Sequence, residues 1–350
     1  MKKHLFLLLT ALIAMTVLLT SCNGILKPVW PSFNPPDITS DEEEGGDEND
    51  VVPEVLVDSE GLEYELVTSV VPENEYYKVI GRGTCTDEFL VIPKEYEGKP
   101  VRQIGAEAFM NDKTLCRVYI SENIVLIDDR AFAGTSIEIF EIPDNVKMLG
   151  EAVIAFSPVR EIVIGKSLTL NTASLCCSTA LENITVHEEN KSLVLRDGVL
   201  YRWLQDSNGN IQYILMQYPT ARTDKSFTIP EDVSFVMDYA FSCANTLEEI
   251  DVESNVLLSS PFLACENLKT VKINVTLDEL IHSENHSYVL YSLIALTTVV
   301  EEEGGNNYDN MLNLMPEFSL ADIQIVFNDI TVTNQELLDY ARDQRPELFN

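Results

Sequence analysis

Val118-Tyr119-Ile120, Phe140-Glu141-Ile142, Ile162-Val163-Ile164 and Ile184-Thr185-Val186 are four short apolar triplets that recur along one stretch of the chain. They end at Ile120, Ile142, Ile164 and Val186, a step of 22 residues each time. A period of this length held over several copies marks a solenoid, in which each unit stacks on its neighbours. The triplets alternate with period two and are rich in β-branched and aromatic residues, so each reads as a strand. Strands running the same way one repeat apart make a parallel sheet along one face.

The rest of the unit repeats in step. Ile127-Asp128-Asp129-Arg130-Ala131-Phe132 lies over Leu149-Gly150-Glu151-Ala152-Val153-Ile154, and Ile137 lies over Val159. An earlier unit holds Ile104, Ala108, Phe109 and Leu115, and a later one Leu170, Leu175 and Leu181. After an interruption the pattern returns as Ile229, Val233, Val236, Ala240-Phe241, Leu247, Ile250 and Val252, then as Val256, Phe262, Leu268, Val271 and Ile273. One buried apolar side chain contributes roughly 1.5–3 kcal/mol, while ordering the backbone costs about 1–2 kcal/mol per residue. A single unit therefore cannot fold alone, and stacked units sharing a core can. The Ala-Phe segments are expected to form the wall opposite the strands as turns or single helical turns. The small Ala permits close approach there, and the Phe fills the interior.

These units resemble the BspA-like leucine-rich repeats of bacterial surface proteins. The resemblance rests on Ile142-Pro143, Ile229-Pro230, Ala240-Phe241-Ser242-Cys243 and Ala264-Cys265, and on the lead-in Gly61-Leu62-Glu63-Tyr64, Gly83-Thr84-Cys85 and Val91-Ile92-Pro93. Asp197-Gly198-Val199-Leu200-Tyr201 with Tyr218-Pro219 is similar to a recurrent insertion in such arrays. It implies a leucine-rich repeat solenoid over residues 56–274, β-rich with short parallel strands on one face, interrupted by an inserted hairpin at 187–228. Residues 275–350 are expected to form a small α/β cap or appended domain, with Thr333-x-x-Glu336 as a capping box before a helix. The resemblance also implies adhesion or partner binding, a theme that a fold by itself does not fix.

The chain begins with Lys2 and Lys3, an apolar run from Leu5 to Leu19, and then Leu19-Thr20-Ser21-Cys22. This pattern is a secretion signal over residues 1–21, and its end resembles the lipobox of bacterial lipoproteins, in which Cys22 takes the lipid. Each buried CH₂ of an acyl chain contributes about 0.8 kcal/mol, so several chains on one Cys hold firmly. The membrane is thus an expected partner through the N-terminal lipid, and the expected location is the outside of the cell. Residues 22–55 read as an acidic, disordered tether: from Asp37 to Glu54 there are nine acids and no base, with Pro28, Pro31, Pro35, Pro36 and Pro53 scattered through the segment. Tyr64 to Val67 and Tyr76 to Ile80 suggest a hairpin turning at Pro72-Glu73-Asn74-Glu75, as a lid over the first repeat.

Within the insertion, Val199 to Trp203 and Ile211 to Leu215 flank Asp206-Ser207-Asn208-Gly209-Asn210, a hairpin signal. Tyr201, Trp203, Tyr213 and Tyr218 are the candidate ligand platform, able to stack on a sugar or a protein partner. The other reading of these four is packing of the hairpin against the array.

The formal net charge is −34, and −36 without residues 1–21, which hold Lys2 and Lys3 and no acid. That balance argues against nucleic acid as a partner. Six cysteines follow Cys22: Cys85, Cys116, Cys176, Cys177, Cys243 and Cys265. Export permits disulfides. The similar placement of Cys177, Cys243 and Cys265 in their units matches a position where the family keeps a small buried residue, which implies free thiols. No Cys-x-x-Cys pair suggests zinc, and no cofactor is expected. His282 and His286 have helical spacing but lack the Glu of a zinc protease, and neither a Gly-x-Ser-x-Gly elbow nor a phosphate loop occurs. The expectation is a non-enzymatic binding module for a protein partner, with glycan capture as the alternative.

Overall fold

The structure is a computed structural model, and it describes residues 56–170, 173–205, 208–252, 257–258, 261–262, 264–282 and 323–344. The signal, Cys22, the tether, Val256, Asp206, His286 and the apolar run 287–300 lie outside the described residues. The fold is that of the compact unit beginning at Val57.

The repeat has the predicted register. Ile139–Ile142, Glu161–Ile164 and Asn183–Val186 form a parallel sheet in which Phe140, Ile162 and Ile184 are direct partners. Phe89–Val91 and Arg117–Tyr119 pair in the same sense one step earlier. Alternate residues of each strand, Phe140, Ile142, Ile162 and Ile164, are buried.

A second parallel ladder runs along another side of the coil, through Tyr76–Gly81, Lys99–Ile104, Leu126–Ile127 and Met148–Leu149. Two of its rungs are only two residues long, too short to show alternation in a sequence. Glu63–Val67 closes its N-terminal edge antiparallel to Tyr76–Gly81, with a 3₁₀ turn at Pro72–Asn74, as the hairpin reading required.

The wall opposite the strands is built of turns. Each places two residues in the left-handed region four positions apart: Glu107 and Asn111, Arg130 and Gly134, Ala152 and Phe156, Tyr239 and Cys243. The left-handed state costs an L-residue roughly 1–2 kcal/mol. It is held here because alternating backbone conformations aim every second N–H along the coil. Glu107, Phe109 and Asn111 donate to the carbonyls of Asp129, Ala131 and Ala133, and Arg130, Phe132 and Gly134 donate to those of Glu151, Val153 and Ala155. Val153-Ile154, which lacks the Ala-Phe signature, takes the same turn, and the turn over Ser174-Leu175 keeps one left-handed residue, Cys177. Phe109 and Phe132 stack inside it at 5.3 Å. Asparagines add stitches between rungs: Asn123 Nδ2 donates to Lys94 O, Asn145 Nδ2 to Glu122 O and Asn267 Nδ2 to Asn245 O.

The insertion is a three-stranded antiparallel sheet, Leu193–Arg196, Val199–Gln205 and Ile211–Gln217, and the last strand joins a parallel ladder with Val233–Val236 and Leu257–Leu258. The first of its hairpins turns at Asp197 and Gly198, both at positive φ. An Asp-Gly pair between apolar runs signals such a turn, so this additional hairpin is legible in the sequence although only the turn at 206–210 is expected from it. The sheet divides the interior. Leu193, Leu200 and Met216 belong to the core of the first half, while Val199, Tyr201 and Leu215 belong to that of the second.

The second half stacks Ser226–Ile229, Glu249–Val252 and Thr270–Ile273, and the sheet then accepts Gln324–Val326 as a further parallel rung. Thr331–Thr333 returns antiparallel and leads into the helix Asn334–Gln344. The expected capping box is present: Thr333 N–H donates to Glu336 Oε2 at 2.7 Å, and Glu336 N–H to Thr333 Oγ1 at 3.1 Å. Thr276 and Glu279 make the same exchange at the start of the helix Leu277–His282. The C-terminal cap thus continues the repeat sheet for one rung and then seals it.

Candidate binding surfaces

The four aromatics of the insertion do not form one open face. Tyr201 is 1% exposed and Tyr218 is fully buried. Both hang from a sheet that packs on each side, so neither ring has a side on which a sugar could stack, and the platform reading fails for these two. Burial pushes the Tyr201 phenol up to about 12. Tyr218 donates its hydroxyl to Asp224, which also accepts from Arg222 Nε at 2.6 Å. Trp203 and Tyr213 are half-buried cross-strand partners. The Arg196 guanidinium lies 4.5 Å from the Tyr213 ring centre and 5.2 Å from that of Tyr201, and is held by Asp232 at 2.9 Å. One face of Tyr213 is therefore already occupied by a cation. Trp203 is the one member not so covered.

The outer face of the strand ladder is organised differently. Alternation leaves Arg117, Ile139, Glu161 and Asn183 in one outward column and Tyr119, Glu141, Val163 and Thr185 in the next. Tyr119 is 37% and Ile139 36% exposed, on adjacent rungs, with Val163 half-buried beside them. The Arg117 guanidinium lies 5.9 Å from the Phe89 ring centre at the same end. This is a flat surface of mixed apolar, aromatic and charged groups.

In the second half the equivalent face is charged. Glu248 bridges Lys225 at 2.8 Å and Lys269 at 2.5 Å, and Glu249 pairs with Lys272 at 2.6 Å. The two lysines hold the Glu248 carboxyl down at about 2. Apolar atoms are scarce on this stretch because the lysine–glutamate rows cover it.

A further aromatic group is absent from the sequence expectations. Tyr64 and Tyr96 stack at 3.9 Å, and the Tyr77 ring meets Tyr96 edge-on at 5.0 Å. They pack the short hairpin Glu95–Tyr96 and Lys99–Ile104 against the first strands. Glu97-Gly98, both at positive φ, is the turn that could have disclosed it.

Among the described residues, no group of three His, Cys, Asp or Glu side chains is arranged to hold a metal ion. His282 accepts or donates locally, 3.2 Å from Asp278 O on its own helix. The six cysteines are free thiols, with Cys85, Cys176, Cys177 and Cys265 buried.

A model of the BspA type leucine rich repeat region matches residues 88–195 and 221–299 in six copies, more than half of the chain. The chain belongs to the BspA-type leucine-rich repeat family. The break in the family match, at residues 196–220, coincides with the inserted strands. Three solved structures illustrate the likeness. A leucine-rich repeat protein from Eubacterium ventriosum is 23% identical, with 54% of this chain and 67% of that chain covered and a TM-score of 0.41. A leucine rich cell surface protein from Faecalibacterium prausnitzii is 19% identical over 61% and 81% of the two chains, at 0.33. The pneumococcal vaccine antigen PcpA is 16% identical over 62% and 71%, also at 0.33. No curated protein matches the chain. The BspA-type repeat supplies the scaffold.

Proposed function

We propose that this BspA-type chain is an exported, lipid-anchored binding module that displays the strand face of its first half to a protein partner. The observation that carries the reading is the exposure of Tyr119 and Ile139 diagonally across adjacent rungs, with Phe89, Arg117 and Val163 on the same face. Interfaces concentrate binding energy in a few aromatic, aliphatic and Arg residues ringed by polar groups. The lipobox-like sequence at Cys22 and the acidic tether support anchoring at the cell surface, with the repeat array held clear of the membrane. The reading assigns the array no catalytic step.

The test is binding of the chain lacking residues 1–22 to an array of matrix proteins and glycans at low and physiological salt. Protein binding that persists at physiological salt and falls at least tenfold in Tyr119→Ala/Ile139→Ser supports the reading. Binding confined to low salt reflects net charge alone and counts against it. Glycan binding that is lost in Trp203→Ala would replace it with glycan capture. For the anchor, a Cys22→Ala protein that still fractionates with membranes and carries lipid would refute the lipobox.

A further inference from the structure

The two halves of the coil meet at a seam where the strand ladder breaks. Asn183–Val186 is the last strand of the first sheet, and Ser226–Ile229 begins another. The rung between them is short. Residues 218–225 join its two strands, where 128–138 and 150–160 do so in regular rungs. The shortened rung has no room for the left-handed turn, so the turn at Cys177 lies directly on the turn at Cys243. The contact is also of a different kind. In the regular wall Arg130, Phe132 and Gly134 donate to backbone carbonyls one rung on, and Phe156 N–H still donates to Cys177 O. Cys177 N–H instead donates to the Ser242 hydroxyl, 2.8 Å away and 65 residues along the chain.

Cys177 and Cys243 occupy the same place in these two turns. Both are left-handed, at φ 57° and 62°. Both belong to the small cluster of alanines and thiols that fills this wall. Cys177 N–H donates to the residue just before Cys243, and the two thiols influence each other. The neighbouring thiols are differently engaged: Cys265 donates Sγ–H to Phe241 O at 3.0 Å, and Cys176 touches Cys177 along the chain. Residues at matching places on directly stacked turns lie within the separation a disulfide needs, about 4.4–6.8 Å between Cα atoms.

We propose that Cys177 and Cys243 are an oxidation site, whose disulfide clasps the two halves of the array across the seam. The oxidant is a low-molecular-weight or enzyme-borne disulfide. One thiolate attacks it and forms a mixed disulfide, releasing the first thiol. The second thiolate then displaces the other thiol, so two protons and two electrons leave the pair and one disulfide is reduced to two thiols. Contact with Cys176 and burial push the Cys177 thiol up, and contact with Cys177 and burial push the Cys243 thiol up in the folded chain. Exchange is therefore slow once the seam is closed, and the bond forms as the halves dock. The loop it closes contains the whole insertion. Formation in the cell rests on the export reading above; the chemistry of the pair does not.

The full chain is unfolded in urea with reductant and refolded in a mixture of reduced and oxidised glutathione. It is then trapped by alkylation and mapped without reduction. The expected result is a peptide linking Cys177 to Cys243, with alkylatable thiols beyond Cys22 falling from six to four. The link persists in Cys176→Ser and disappears in Cys243→Ser. In wild type the urea midpoint rises on oxidation, and in Cys243→Ser that rise is absent. Six alkylated thiols after oxidative refolding, or a dominant link through Cys176, Cys85, Cys116 or Cys265, would overturn the proposal. Because the experiment supplies its own disulfide donor, its failure leaves the binding and export reading untouched.

Discussion

Replacing Tyr201 by Ala separates the two roles open to the insertion. Its ring is 1% exposed and sits in the second core, while its strand neighbour Leu200 points into the first. Truncating a large aromatic in a close-packed core costs about 3–5 kcal/mol, from lost transfer energy and the cavity left behind. The Arg196 guanidinium, 5.2 Å from the ring, loses one of its two aromatic contacts as well. Set against a total stability of about 5–15 kcal/mol for ordinary domains, this is a severe change. Trp203→Ala removes a half-buried ring on the same strand and is expected to cost less than about 2 kcal/mol. Tyr201→Phe keeps the volume and is expected to cost under about 1.5 kcal/mol.

The assay is urea unfolding of all three variants followed by far-ultraviolet circular dichroism, which is insensitive to the loss of Trp203 fluorescence. The expected order of midpoints is wild type, Tyr201→Phe and Trp203→Ala close together, with Tyr201→Ala far below. A Tyr201→Ala stability within about 0.5 kcal/mol of wild type, in the range of surface substitutions, would refute the septum. The aromatic residues would then have to be read as a displayed surface.

Gly150→Ala is expected to cost about 1–3 kcal/mol by overpacking, because a Cβ there would stand 2.3 Å from Asp129 N in the rung below; thermal denaturation checks it. Ser157→Ala leaves the buried Thr135 N–H, now 3.1 Å from Ser157 Oγ, without that acceptor, a loss of about 1–3 kcal/mol by the same measurement. Burial, the largest cause, raises the phenols of Tyr64 and Tyr201 to about 12 in the folded chain. Unfolded tyrosines titrate near about 10, so the folded state binds more protons above that pH. The stability these groups contribute is complete below pH ~10 and is lost as pH rises towards ~12. A spectrophotometric phenol titration in which every tyrosine ionises near the unfolded value while the chain stays folded would refute it.

The inward residues announced the coil. Phe140, Ile162 and Ile184 must meet in the core at a fixed step, and that constraint writes a period into the sequence. The turns were legible only by analogy between units, since Ala152-Val153-Ile154-Ala155-Phe156 shares backbone geometry with Arg130-Ala131-Phe132-Ala133-Gly134 but not its side chains. The second ladder left almost no trace, because its two-residue rungs Leu126–Ile127 and Met148–Leu149 are set by the turns on either side. The aromatic platform misled for a related reason. Alternating aromatics on a hairpin suggest a display surface when one face of the sheet is wet. Around Tyr201 and Tyr218 both faces are dry, and only the three-dimensional position between two cores reveals that. The exposed pair Tyr119 and Ile139 was hidden inside the strand triplets, where apolar residues were counted as strand formers.

The repeat therefore separates two kinds of information along each strand. Positions such as Ile162 and Ile164 are fixed by stacking, and a change there lowers stability. Positions such as Tyr119, Ile139, Glu249 and Lys272 face outward on the same ladders, and no step of the period restrains them. They nevertheless differ between the halves: Tyr119, Ile139 and Val163 stand among polar groups before the insertion, and paired charges follow it. Solubility alone would favour charge on both, since single exposed apolar residues gain nothing from water. On the proposed reading, a protein partner covers Tyr119 and Ile139. The paired lysine–glutamate rows, each charge already answered by a neighbour, offer such a partner little to hold. The asymmetry of the outward columns, rather than the fold they share, thus directs the search for the binding site to the first half.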